Sequence, residues 1–379
     1  MNDQIITPWD VIADKDKEID YSKVINQFGC QPMEDALVAR MERLTGKRPH
    51  VFLRRGMVFA HRDFDKILDA VERKEKFYLY TGRGPSSGSM HIGHAIPFLL
   101  CKYLQDAFDA DLVIQITDDE KFLWKNLSLK DTILYGKQNI KDIIAFGFNP
   151  LKTHIFSNIE SAHHFVENTL KIGKSISLND AMKVFGFTMS HNVSQIEFPV
   201  KEIAPCFSSS FSFLPRGLTC LIPAAIDQDP YFRLARDKAH ILKEKKPCTI
   251  YSTFLSDLKG MNGKMSASDV NSSIYLTDTP AMIKKKINKY AFSGGRDTIE
   301  EHRKYGGNTN VDVAYNYLRY FLEDDNEFER LGEGYRKGEI TSGEMKARCI
   351  EVIQHFILDY QQKRAKITDE IVDNFMAKW

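Results

Sequence analysis

The chain lacks any apolar run of membrane-spanning length, and residues 1–20 hold no apolar core of the kind a secretory leader needs. It lacks an excess of either charge: 52 Lys+Arg face 51 Asp+Glu, a net charge of +1. That removes any global attraction to nucleic acid or membrane, so contact with RNA would have to use local basic groups. It lacks paired cysteines. The six present, Cys30, Cys101, Cys206, Cys220, Cys248 and Cys349, are scattered without a CxxC. This argues against a disulfide framework or a structural zinc site and for reduced thiols. Internal repeats and low-complexity tracts are also missing. What remains is the expectation of a cytoplasmic protein, and 379 residues suffice for two or three cores.

One stretch, YTGRGPSSGSMHIGH at 80–94, carries most of the chemistry. An apolar run at 77–80 leads into a Gly/Pro/Ser turn, and an amphipathic segment opens near Met90. Strand, tight loop and helix N-terminus in that order make an anion site. Gly82 and Gly84 let backbone N–H groups approach without a Cβ in the way, and the helix end adds free N–H groups and positive potential. His91 and His94 share a face at i, i+3, with Gly93 between them leaving room for a flat ring. A glycine-rich turn before a helix is commonly only a turn, so this loop alone decides little. A second signal lies far downstream: Lys264-Met265-Ser266-Ala267-Ser268, KMSAS, in a glycine-bearing loop after a strand-like run at 249–253.

The rest of the chain frames these two loops. Residues 1–65 read as an extension of short strands (PWDV, HVFLRRGMVFAHRD) around a helix at 34–45. In it Arg54, Arg55, His61 and Arg62 form a basic group more typical of a solvated face than of a ligand site. Residues 66–279 alternate strand and helix: strand 77–80, helix 91–108, strand 111–117, helix 129–146, strand 153–158. After a break at 160–217 come a strand at 218–230, a helix at 231–243 and a strand at 248–253. Apolar runs alternating with helices predict an α/β fold, a Rossmann-like parallel sheet covered on both faces. A connecting insertion is placed at about 105–217. Ligands in such sheets bind at the carboxyl ends of strands, which points to Tyr80, Gln115, Thr117 and Asp118. From 280 to 379 the periodicity is helical throughout, predicting an all-helical C-terminal domain.

HxGH after the first strand and KMSxS after a late one are the paired signature of class I aminoacyl-tRNA synthetases. With TGRGPSSGSMHIGH, IQITDDEKFLWK, AIDQDPYFR, KMSASD and AFSGGRDTIEEHR, the chain resembles the tryptophanyl-tRNA synthetases of eukaryotic and archaeal type over nearly its whole length. The resemblance implies activation of L-tryptophan by ATP, with Mg²⁺ carried by the nucleotide rather than held in a dedicated metal site. Transfer to tRNA(Trp) follows. It implies an ATP site of Thr81, Gly82, Arg83, Gly84, His91, Gly93, His94, Lys264, Met265, Ser266 and Ser268, with Lys264, His91 and His94 the catalytic members. The substrate's own carboxylate is the nucleophile, so no protein nucleophile is nominated.

For tryptophan, the resemblance implies that Tyr80 and Gln115 meet the indole N–H while Glu120 and Gln228 hold the amino-acid end. Glu202 stands where animal relatives carry a glutamine near the substrate ammonium. Phe292, Arg296 and Asp297, with Lys346, match the anticodon-reading stretch: an aromatic to stack on a base and polar groups for its edge. The same SGGRDT run is also good capping chemistry. A homodimer is implied, its surface expected on the insertion and the helix after Gln105. The alternatives are a tyrosine-specific relative, a catalytically retired RNA-binding paralogue, and a small-molecule adenylyltransferase, whose chains lack the helical RNA-reading part.

Overall fold

The computed structural model of the protein describes residues 4–8, 11–12, 19–260, 265 and 271–379. Strands β1 (Ile5–Ile6) and β2 (Val11–Ile12) form a small antiparallel ribbon. The main sheet holds β3 (Gln31–Pro32), β4 (Val58–Arg62), β5 (Phe77–Arg83), β6 (Asp111–Ile116), β7 (Thr153–Ser157), β8 (Thr219–Ala225) and β9 (Cys248–Ser252). Their order across the sheet is β3–β4–β9–β8–β5–β6–β7. The five strands β9–β8–β5–β6–β7 run parallel. The chain steps outward from β5 to β6 and β7, then returns to place β8 on the other side of β5. That reversal puts a switch point, and a natural crevice, between the carboxyl ends of β5 and β8.

The crevice shows in the register. β5 and β8 pair only at Phe77–Thr219, Tyr78–Cys220 and Leu79–Leu221, although both continue to Arg83 and Ala225. On its other side β5 stays paired with β6 up to Arg83–Ile116. Beyond Leu79 the two central strands therefore part.

Both faces of the sheet are buried. Phe77 and Leu79 point to a cluster shared with Leu112, Ile114 and Leu221, and this core continues into Val313, Tyr317, Met345 and Ile353 of the C-terminal helices. Tyr78 and Tyr80 alternate to the opposite face, packing with Phe156, Ile222 and the aromatic residues of the stretch between β7 and β8. Within 105–217, β6 and β7 belong to the sheet. After them come helices such as Val166–Gly173, Leu178–Phe185 and Val193–Ile203.

The sheet is mixed rather than purely parallel. Residues 50–63 begin as a helix, Val51–Arg54, and only then form β4, which pairs antiparallel with β9. β3 covers the edge beyond it with two residues, one of them Pro32, a short edge poorly suited to accept another strand. The opposite edge is covered by the C-terminal tail. Ala377 N donates to the Ile155 carbonyl at 2.8 Å, and Trp379 stacks on His164 beside Phe156 and Phe165.

The basic group of the N-terminal part is neither solvated nor open to a ligand. Arg54 Nε and Arg55 Nη2 reach the two oxygens of Asp325, each at 2.8 Å, tying this part to the C-terminal helices. Arg62 is bidentate to the fully buried Asp229, at 2.7 and 3.0 Å. His61 is buried and accepts from Phe64 N.

Candidate functional site

A cleft of about 360 Å³ opens where β5 and β8 separate. Thr81, Gly82, Arg83 and Gly84 line one side, and Ala225, Asp227 and Gln228 the other. Pro8, beside the small ribbon, also borders it.

At one end stands the helix Ile92–Phe108, with His91 as the residue before its first turn. His91 N donates to His94 Nδ1 at 3.3 Å, and the two imidazoles stack with centroids 3.5 Å apart. Pro97, also on the wall, has no N–H to give the Gly93 carbonyl, so the helix opens at the cleft. Gly93 is tightly placed: a Cβ there would lie 3.1 Å from His91 Nδ1 and 3.4 Å from Met265 Cβ. Met265, from the KMSAS loop, is 5% exposed, and its N donates to the Leu255 carbonyl at 2.9 Å. Two loops far apart in sequence thus meet at Gly93. Lys264, Ser266 and Ser268 lie outside the described residues.

Arg83 forms part of the same wall. Its Nε donates to Asn139 Oδ1 at 2.9 Å, while Nη2 is buried and finds no hydrogen-bond partner among the described residues. Burial lowers its pKa to about 10, opposed by Glu120 and Asp142. Asn139, fully buried on the helix Leu129–Ile144, also donates to the Ser87 carbonyl at 2.9 Å. One amide therefore holds both the guanidinium and the loop after Gly84. No motif marks Asn139 in the sequence.

The other end is lined by Phe198, Tyr231 and Phe232 with Glu120, Glu202 and Gln228. Glu120 accepts from Thr117 Oγ1 at 3.0 Å and from Lys121 Nζ at 2.6 Å. Tyr80 and Gln115 are buried beneath this end rather than on its wall. The Tyr80 hydroxyl donates to Gln115 Oε1 and lies 2.9 Å from the Glu202 carbonyl. Gln115 Nε2 donates to Asn158 Oδ1 at 2.7 Å, and Asn158 Nδ2 to Asp119 Oδ1 at 2.9 Å. These bonds fix which face of the Gln115 amide is the acceptor. Thr117 is buried beside the cleft, and Asp118 turns away to Ser157 Oγ and Ile159 N.

The RNA-reading candidates lie elsewhere: Phe292, Arg296 and Asp297 in the loop entering the C-terminal helices, and Lys346 on the helix Ser342–Arg364. Phe292 is half exposed, and Arg296 and Asp297 are exposed. Arg296 Nε donates to the Gly306 carbonyl at 3.1 Å, and Thr298 caps the helix Ile299–Tyr305. Gly294 N, donating to Asp312 Oδ2 at 3.0 Å, ties the loop to the helices behind it. Lys346 is half-buried, and desolvation lowers its pKa.

Residues 72–357 match the model of the family described as tRNA synthetases class I (W and Y). The tryptophan–tRNA ligase of Encephalitozoon cuniculi is 61% identical over 380 residues, covering 99% of each chain. This chain belongs to the tryptophan–tRNA ligases. The cytoplasmic ligase of Arabidopsis thaliana is 52% identical over 99% of this chain and 94% of its own. Among solved structures, the tryptophanyl-tRNA synthetase of E. cuniculi bound to tryptophan superimposes with a TM-score of 0.90 over 94% of this chain and 98% of that one. The tyrosine-specific and catalytically retired alternatives are not favoured. Among the described residues of the synthetase, no helix is long and apolar enough to cross a membrane.

Proposed function

We propose that the cleft between β5 and β8 is where this ligase joins L-tryptophan to ATP, releasing pyrophosphate, before passing the aminoacyl group to tRNA(Trp). The observation that carries this reading is the meeting of Gly93 of the HIGH run and Met265 of the KMSAS run, both of which line a single cleft. ATP lies along Thr81–Gly84 and the helix N-terminus, its phosphates facing backbone N–H groups. Lys264 neutralises the charge that gathers on departing pyrophosphate, helped by Ser266 and Ser268. His91 and His94 border the nucleotide. Mg²⁺ arrives with the triphosphate, and the protein's part is mainly positioning and charge neutralisation.

Tryptophan occupies the aromatic end. The Gln115 carbonyl oxygen has two lone pairs, of which Tyr80 uses one, so the other suits an indole N–H. Glu120, Gln228 and Glu202 take the amino-acid end. Phe292, Arg296, Asp297 and Lys346 read the anticodon, a cytoplasmic homodimer being the working form. ATP–pyrophosphate exchange with each of the twenty amino acids tests the assignment. Exchange supported by tryptophan alone is expected; exchange driven by tyrosine, or none at all, overturns it.

A further inference from the structure

Glu202 is the least satisfied carboxyl at the aromatic end of the cleft. It sits near the end of the helix Val193–Ile203, 8% exposed. Its Oε2 is buried without a hydrogen-bond partner among the described residues. Its Oε1 lies 3.7 Å from where a Cβ on Gly82 would stand, on the side that lines the cleft. Its acidic neighbours are provided for: Glu120 has Lys121 at 2.6 Å, and Asp119 has Asn158 and, at 3.6 Å, Lys201. Among the described residues Glu202 has no cation of its own. A buried carboxyl left so is normally a poor design, because an unpaired charge in low dielectric is costly. A cationic group arriving from the cleft would supply the missing partner.

We propose that Glu202 waits as the neutral acid and releases its proton to solvent when the α-ammonium of the substrate docks beside it. Tryptophan binding is then coupled to the loss of one proton. The balance is simple: a carboxylic acid and an ammonium ion enter, and an ion pair and a solvent proton leave. The inference rests on tryptophan occupying this end of the cleft.

The surroundings agree with a protonated resting state. Burial, then the charges of Glu120 and Asp119, raise the Glu202 carboxyl to about 8, with Lys121 acting in the opposite sense. Tyr80 on β5, Tyr231 on the helix Asp229–Leu242 and Cys206 also face it, and burial pushes all three upward, away from neutrality. Glu202 is then the group in this set that changes charge just above neutral pH. An entering ammonium reverses the sign of its local field.

Calorimetry of tryptophan binding to the full chain, in two buffers of different ionisation enthalpy at neutral pH, tests this. The wild-type protein should release close to one proton per tryptophan. Its affinity should rise nearly tenfold per pH unit between about pH 6 and about pH 7.5, as linkage to one released proton requires. Glu202→Gln should bind with no release and with affinity flat over that range. Indole-3-propionate, which lacks the ammonium, serves as a probe needing no variant: it should bind wild-type protein more weakly and without release. Saturable tryptophan binding with no proton released overturns the coupling and leaves the ligase reading intact. Release that persists in Glu202→Gln, or equal release with indole-3-propionate, assigns the proton elsewhere and also overturns it. A protein that binds no tryptophan defeats both readings.

Discussion

Two regions of this chain bury charge, and they treat it in opposite ways. At the junction of the N-terminal part with the rest, Arg62 forks onto Asp229, while Arg54 and Arg55 share Asp325. In the cleft, Arg83 Nη2 and Glu202 Oε2 find no partner among the described residues. The first region closes its accounts within the chain and so holds structure together. The second leaves them open, one cation and one acid, both lining a hole between two parting strands. Unsatisfied buried groups each cost stability, and a pair of them lining one cleft is what the proposed substrate groups would complete.

Substitutions can break or sharpen this contrast. The largest effect should come from the closed region. Asp229→Ala strands a buried guanidinium and should cost about 3–5 kcal/mol in urea unfolding. If the lysine of KMSAS serves the open region as proposed, Lys264→Ala should leave the fold intact and slow pyrophosphate exchange by ~10²–10³-fold with tryptophan affinity unchanged. A change in stability instead would make the two regions alike.

Away from both, Phe292→Ala should weaken tRNA in aminoacylation by ~1–3 kcal/mol, the usual worth of a base stacked on an aromatic ring. Exchange without tRNA should stay at the wild-type rate. Asn139→Leu should raise the KM for ATP ~10-fold by freeing Arg83 and the Ser87 loop, the scale of one hydrogen bond to a charged group. The KM for tryptophan should hold.

The last effect is a slope in pH rather than a single value. Folded Glu202 keeps its proton to about 8, whereas the unfolded carboxyl loses it near its ordinary value of 4.5. The unfolded state therefore binds fewer protons between those values, and stability falls as pH rises through them, by at most ~1.4 kcal/mol per unit. Glu202→Gln should remove that slope from urea midpoints measured across the window.

Much of this arrangement was legible in the residues. Alternating apolar runs marked β5 through β9 to within a few positions, because a strand buried on both faces must be apolar throughout. The glycines of 80–94 announced the tight turn between β5 and the helix Ile92–Phe108. The basic group at 54–62 was misleading. Nothing local distinguishes an arginine in water from one paired with Asp325, some 270 residues further on. Asn139 was invisible for the same reason: a polar residue on a helix gains its role only from what the helix is laid against. Tyr80 and Gln115 were singled out, but their burial beneath the cleft and their bond to each other were not foreseen.

The sequence by itself determined the parallel alternation, the two signature loops and the class of chemistry, since these depend on short-range periodicity and on residue types suited to phosphate. It took the folded molecule to show that β5 and β8 part beyond Leu79 and Leu221, that Met265 comes to rest against Gly93, and that Glu202 has no cation among the described residues. Each of these depends on groups distant in the chain meeting, or failing to meet, in a medium where an unpaired charge is costly.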